Sequence, residues 1–132
     1  MLTIPIRLKA GNDLKKEIEN VVNQYSIKAG WIACCVGSLT NYNIRYANRK
    51  ESNAGSGHFE ILSLSGTLST NGCHLHISIS NSDGETFGGH LLNNNIIYTT
   101  AEIIIQHTNE FIFKRELDPF TSFNELVIQS TR

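Results

Sequence analysis

The chain has 132 residues, of which 40% are hydrophobic and 17% are charged, and 11 basic and 12 acidic residues give a formal net charge of −1. This length and hydrophobic content predict a single domain with one core, spanning residues 1–132. A free-standing nucleic-acid binder usually has an overall basic excess or a basic stripe. The net charge excludes the excess, and no basic stripe is present, because the longest basic cluster, Arg49-Lys50, is followed at once by Glu51.

The start of the chain predicts an edge strand and then a helix. Residues 3–8 alternate apolar and polar side chains, and Pro5 suits an edge position or a strand start. A turn at residues 11–13 follows, where Asn12 or Asp13 can cap a helix. Apolar residues then recur at helical spacing, which predicts the main amphipathic helix. These residues are Leu14, Ile18, Val21, Val22 and Tyr25.

After Ala29-Gly30 the pattern changes to alternation and short apolar runs, which predict strands. The predicted strands are GWIACCVGSL, NYNIRYAN, HFEILSLSG, CHLHISIS, IIYTTAEIIIQH, EFIFKREL and NELVIQS. Breaks are predicted at Gly37, at the loop 55–57, at the hairpin dipeptide Asn71-Gly72 and in NSDG. These elements predict an α+β fold, a largely antiparallel sheet of six to eight strands with one main amphipathic helix packed on it.

The HFEILSLSG segment also carries candidate site residues. Its alternation predicts that His58, Glu60, Leu62 and Leu64 share one face of the strand.

The three cysteines indicate a reducing compartment. Cys34 and Cys35 are adjacent and Cys73 stands alone, a spacing that fits neither a disulfide framework nor a zinc ribbon. The apolar run WIACCVG predicts buried free thiols at Cys34 and Cys35. The N-terminal sequence lacks a signal-peptide apolar region, and no apolar run reaches the roughly 20 residues that span a bilayer. We therefore expect a cytoplasmic protein with no membrane segment.

Three of the five histidines lie in one stretch, GCHLHISISNSDGETFGGHLL. His74 and His76 are two residues apart in a predicted strand, so they project from one face with Cα atoms roughly 6–7 Å apart. The NSDG turn brings His90 back across that face. Gly88 and Gly89 permit a close backbone approach and angles closed to other residues.

Two interpretations of these histidines remain open. The first is a metal site, because zinc accepts histidine nitrogens at about 2.0–2.1 Å and its catalytic sites often use three protein ligands plus water. The second is a set of polar side chains on a wet strand face. His58 and His107 lack such an arrangement and are predicted to be surface or interface residues.

Three further polar residues are candidates for a structural ion pair or for catalysis. Glu60 and Glu102 each lie within an apolar strand, where a buried carboxylate needs a partner. Arg115 is a candidate bidentate partner for either. The ion pair is the favoured interpretation, and Glu60 and Arg115 are the candidate catalytic residues. The chain has no Ser-His-Asp order, phosphate-binding glycine loop or HExxH motif.

The blocks HFEILSLSGTLS, HLHISISNSDGETFGGHLL and TTAEIII resemble the plants and prokaryotes conserved (PPC) domain. The resemblance extends to LKAGNDLKKEIENVV, IKAGWIACCVGSLTN and FKRELDPFTSFNEL, so it covers almost the whole chain. It implies a compact domain that assembles as a homotrimer through its sheet. It also implies a zinc-binding histidine cluster at His74, His76 and His90, as in some prokaryotic members.

Two other properties of the family are not fully matched by this sequence. The plant motif GRFEILSLSG, which contacts other transcription factors, has His58 here in place of arginine. The family is commonly called DNA-binding, but the AT-hook that contacts DNA in plants, with its Arg-Gly-Arg-Pro core, is absent from this chain. The fold also resembles acetolactate decarboxylase, whose active site is a three-histidine zinc centre, although fold likeness does not establish activity.

The sequence therefore leaves three hypotheses. The first is a stand-alone PPC homotrimer that is DNA-associated or regulatory and has a three-histidine metal site. The second is a zinc-dependent enzyme acting on a small carboxylate or carbonyl substrate, with Glu60 or Arg115 assisting. The third is a structural metal or small-ligand sensor with the histidines at a subunit boundary.

Overall fold

The computed structural model describes all 132 residues and contains eight strands and one helix. In chain order the elements are β1 (Leu2–Lys9), α1 (Leu14–Gln24), β2 (Gly30–Arg45), β3 (Asn53–Leu68), β4 (His74–Ser80), β5 (Thr86–Leu91), β6 (Ile96–His107), β7 (Phe111–Leu117) and β8 (Asn124–Ser130). The α+β prediction is confirmed.

Six strands form an antiparallel sheet in the order β1-β6-β2-β3-β4-β5. The 16-residue strand β2 is long enough to meet a third partner. Its first part lies between β6 and β3, and its last residues, Ile44 and Arg45, also pair with Leu91 and His90 of β5. This extra pairing joins β2, β3, β4 and β5 into a ring. It also places His90 beside the β2–β3 loop.

The helix α1 begins where the capping signal predicts. The Asp13 carboxylate accepts a hydrogen bond from the Lys16 backbone N–H at 3.3 Å, so Asp13 is the cap. Leu14, Ile18 and Val22 are buried, and the helix buries this apolar stripe in a core cluster of 22 residues. No helix in the structure is both long and apolar enough to span a membrane.

Two predicted breaks lie inside strands. Gly37 is within β2, and residues 55–57 are within β3. Gly37 pairs with Ala101 of β6, and a side chain at this position would collide with the Thr100 carbonyl. The glycine therefore permits close strand contact instead of a turn.

The predicted face of HFEILSLSG is partly wrong. A β-bulge at Ile61–Ser63 adds one residue to β3 and reverses the alternation beyond it. His58, Glu60 and Leu62 are exposed, but Leu64 is buried in the core.

The prediction for the two adjacent cysteines is half correct. Cys35 is buried, and this burial raises the pKa of its thiol to about 12. Cys34 is exposed on the opposite face of β2, because successive strand residues point to opposite sides.

The last two strands form a separate hairpin that folds against the sheet. Phe113 is its main anchor. Its backbone N–H donates to the Lys28 carbonyl at 2.8 Å, and its carbonyl accepts from Ser69 Oγ at 2.8 Å and Asn71 Nδ2 at 3.0 Å. These bonds position the hairpin so that Phe123, beyond β7, lies beside the histidines of β4 and β5.

Candidate metal centre

Three histidines project from two neighbouring strands, on the face opposite the core. His74 and His76 lie on β4, and His90 lies on β5, directly paired with His76. Leu75 and Ile77, which alternate with the β4 histidines, are buried. Alternation therefore turns the imidazoles outward, and the structure brings all three predicted histidines together.

The distances within the cluster suit a single ion. The ring centroids are 4.9 Å apart for His74 and His76, 5.3 Å for His74 and His90, and 5.8 Å for His76 and His90. One nitrogen from each ring lies within 4.8 Å of the others. Tetrahedral zinc places its nitrogen ligands about 3.4 Å apart, so binding one ion would require the nitrogens to approach each other by up to about 1.4 Å.

The surroundings lower the pKa of two of these imidazoles. Burial lowers the pKa of His90 to about 4, and the nearby Arg45 guanidinium adds to the shift. Burial also lowers the pKa of His74, with smaller contributions from His76 and Arg115. A neutral imidazole has the free lone pair that a metal ion requires, so these shifts favour ligation near neutral pH.

Gly88 and Gly89 bring β5 close to its neighbours. A side chain at Gly88 would collide with the Ile77 carbonyl of β4, and one at Gly89 with the Arg45 carbonyl of β2. The predicted close approach is therefore present. The predicted unusual backbone angles are not, because neither glycine has a positive φ.

Two adjoining clefts open at the cluster, with volumes of about 870 and 360 Å³. Four residues line both clefts, namely Arg45, His74, His90 and Phe123. The larger cleft adds Arg49 and Lys50 from the β2–β3 loop. The imidazoles therefore face a space that a small molecule can enter.

The β7–β8 hairpin forms one wall of the smaller cleft. Arg115 and Glu125 line it, and Arg115 Nη2 donates to Thr67 Oγ1 at 2.8 Å. Thr67 pairs with His74 across β3 and β4, so this bond holds the Arg115 guanidinium beside the cluster.

The favoured ion pair between Arg115 and a strand carboxylate is not formed. The protein's one ion pair within 4.0 Å joins Arg132 to Glu110. Glu60 and Glu102 are both exposed, and Glu60 lines neither cleft.

The two remaining histidines lie outside the cluster. His58 is exposed, as predicted for a surface residue, and its ring stacks on that of Tyr98 with the ring centroids 4.6 Å apart. His107 is 7% exposed and lies on the core-facing side of β6, so its predicted surface or interface position is wrong.

Sequence reasoning missed Arg45, Arg49 and Lys50 as site residues. The alternation of Ile44 and Arg45 in NYNIRYAN does point Arg45 away from the core. The pairing of β2 with β5 places Arg45 at the cluster. This pairing joins Arg45 to His90, 45 positions away, so no local sequence pattern predicts it.

A family model described as the Plants and Prokaryotes Conserved (PCC) domain matches residues 1–109. This is the family indicated by the sequence resemblance, also abbreviated PPC. The matched range ends before the β7–β8 hairpin, so the model does not extend to Arg115 or Phe123.

Solved structures of similar proteins cover nearly the whole chain. A hypothetical protein from Salmonella cholerae-suis has a TM-score of 0.97 and 34% identity, covering 99% of this chain and 95% of its own. A metal-containing protein from Archaeoglobus fulgidus has a TM-score of 0.79 and 27% identity, covering 96% and 94%. A PPC protein from Pyrococcus horikoshii has a TM-score of 0.76 and 26% identity, covering 96% and 93%.

Curated relatives are much longer than this chain. Proteins named bifunctional protein GlmU, from two Synechococcus strains, are 42% identical over 125 residues, which is 95% of this chain. The chain spans about a fifth of their length.

Proposed function

The chain belongs to the Plants and Prokaryotes Conserved domain family, and we propose that it is a homotrimeric, zinc-binding member with a DNA-associated or regulatory role. The observation that carries the metal proposal is the convergence of three imidazole nitrogens within 4.8 Å. The metal-containing relative from Archaeoglobus fulgidus, 27% identical, adds support. The three free cysteines favour a reducing, cytoplasmic location.

Zinc is the proposed ion because the donor set is three imidazoles with no carboxylate. Imidazole suits zinc and other transition metals, whereas magnesium and calcium prefer oxygen ligands. His74, His76 and His90 would hold the ion, each through one imidazole nitrogen. When bound, zinc supplies a Lewis acid at the cleft, able to polarise an oxygen of an incoming ligand.

The homotrimer proposal is supported by apolar side chains on the sheet face opposite the core. Val36, Leu62 and Tyr98 are 65%, 53% and 42% exposed there. Val36 and Leu62 adjoin the paired residues Gly37 and Ile61, so they lie side by side on β2 and β3. An exposed apolar patch on a sheet is typical of a protein–protein contact.

The DNA-associated role is supported by family membership alone. A fluorescence anisotropy titration of duplex DNA at low salt tests this role, since electrostatic binding is strongest there. No binding at tens of micromolar trimer would leave a regulatory role without direct DNA contact.

Metal analysis tests the metal centre. We expect about one zinc per subunit in protein purified without added metal, and its loss in His76→Ala, because two imidazoles hold zinc weakly. His58→Ala is the matched control, since His58 lies outside the cluster, and it should keep its zinc. A wild-type protein that stays metal-free even after dialysis against zinc would contradict the proposal.

A zinc-dependent enzyme acting on a small carboxylate or carbonyl substrate is the second candidate function. The observation that favours it is the pair of clefts, which give a ligand access to the open side of the cluster. Of the two catalytic candidates, Arg115 lines a cleft and Glu60 does not, so we assign the assisting role to Arg115.

A further inference from the structure

We propose that the histidine clefts bind a small organic anion, a carboxylate or a phosphate, and that Arg45 recognises its charge. This inference deepens the proposed metal centre, on which it rests, by naming the class of ligand that approaches it.

The position of Arg45 is fixed by the sheet. Arg45 pairs directly with His90 across β2 and β5, so both side chains project from the same face. Arg45 lines both clefts and is half-buried. Its charge also contributes to the lowered pKa of both His74 and His90, as expected for a guanidinium close to both rings.

The positive charges around the clefts lack acidic partners. No carboxylate lies within 4.0 Å of Arg45, Arg49 or Lys50, because the protein's one such ion pair joins Arg132 to Glu110. Glu125 is the one carboxylate that lines either cleft. An anion entering the larger cleft therefore meets three cationic side chains that form no ion pair within 4.0 Å.

The chemistry of these groups selects a small anion. A guanidinium presents a planar fork that binds carboxylate or phosphate through two parallel hydrogen bonds. Arg45 and Phe123 both line this concave space, which suits a small ligand. Nucleic-acid binding instead needs a basic stripe over an extended surface, and this chain has a net charge of −1.

Cobalt substitution provides a direct test. Co²⁺-loaded protein is titrated with malonate and with inorganic phosphate, and visible absorption reports ligand entry at the metal. Malonamide is the neutral analogue of malonate. We expect malonate or phosphate to change the spectrum and malonamide to have no effect.

Variants of Arg45 isolate its contribution. Arg45→Gln should weaken anion binding at least about tenfold, which is ~1.4 kcal/mol or more. Arg45→Lys keeps the charge but loses the planar fork, so its anion affinity should lie between those of the wild type and Arg45→Gln. Arg132→Gln makes the same charge change at the far end of the hairpin and should bind anions like the wild type.

The outcomes separate this inference from the metal proposal. Anion binding to metal-free protein is followed in parallel by NMR, so Arg45-dependent binding without cobalt uptake would overturn the metal centre and keep the anion site. Equal anion affinity in wild type and Arg45→Gln, or equal binding of malonamide, would overturn the anion site. The anion site would also be overturned if a 20-base-pair duplex bound in an Arg45-dependent way and neither malonate nor phosphate displaced it. That result would identify nucleic acid as the ligand.

Discussion

His90 connects the histidine cluster to folding through its protonation. Its pKa lies near 4 in the folded protein, lowered from 6.5 by burial and by Arg45. Between these values the unfolded chain binds a proton that the folded protein excludes, so acid favours the unfolded state. This contribution to stability is complete above about pH 6.5 and is lost as the pH falls toward 4.

Urea unfolding of metal-free protein measures this effect. In EDTA, the free energy of unfolding of the wild type should decrease between pH 6.5 and 4.5 more steeply than that of His90→Gln, which has no titrating group at this position. His58→Gln is the control and should follow the wild type, because it keeps His90. Identical pH slopes in wild type and His90→Gln would show that the folded protein does not disfavour protonated His90.

At the residue scale, the sequence predicts the cluster but not its charged neighbours. His74 and His76 can be located because alternation with Leu75 and Ile77 fixes their face, and one turn leads to His90. Arg45 reaches the cluster through pairing between distant strands, which no local pattern encodes. The position of Arg115 depends on how a separate hairpin docks, which local patterns also do not specify.

At the scale of elements, the close packing of β5 sets the position of His90. Gly88→Ala would place a methyl group against the Ile77 carbonyl and push β5 away from β4. We expect a loss of stability of roughly 1–3 kcal/mol, typical of overpacking. We also expect zinc affinity to fall by about tenfold or more, since His90 moves with the strand.

Thr86→Ala is the matched control for the glycine substitution. Thr86 lies on the same strand, is exposed, and its hydroxyl makes one long bond of 3.3 Å to the Gly84 carbonyl. Chemical denaturation and competition with a zinc indicator should show little change for this variant. A Gly88→Ala protein with wild-type stability and zinc affinity would mean that β5 tolerates the added methyl group.

Element boundaries were predicted best where turn chemistry is explicit. Asn71-Gly72 and NSDG both connect adjacent strands, and Asp13 caps the helix. The turn predicted at Gly37 is wrong, because glycine occurs both in turns and at close strand contacts and a single sequence does not distinguish the two. The bulge at Ile61–Ser63 likewise follows from strand pairing and reverses a face that alternation alone had assigned.

At the scale of the whole molecule, the two faces of the sheet differ in what they contact. One face packs on α1 and contains the core, whereas the other carries Val36 and Leu62 in the open. The histidines project from β4 and β5, toward the β5 side of that outer face. Assembly through the apolar patch on β2 and β3 would therefore cover Val36 and Leu62 and leave the clefts at the histidines accessible.

The oligomeric state tests this arrangement. Light scattering of the wild type should give about 44 kDa, three times the 14.7 kDa chain. Val36→Glu and Leu62→Glu should give monomers, because each loses apolar burial worth roughly 1.5–3 kcal/mol and places a carboxylate in an apolar contact. Leu117→Glu is the control, since Leu117 is 68% exposed and lies on the β7–β8 hairpin, not on β2 or β3, and this variant should remain trimeric.

The same measurement separates assembly from metal binding. If His74, His76 and His90 bind an ion within one subunit, as their position on adjacent strands of one chain suggests, EDTA should remove the metal and leave the trimer mass unchanged. A mass that falls to one chain in EDTA and recovers with zinc would instead assign the ion to a subunit boundary. A wild-type mass of 14.7 kDa in the presence of zinc would contradict the trimer itself.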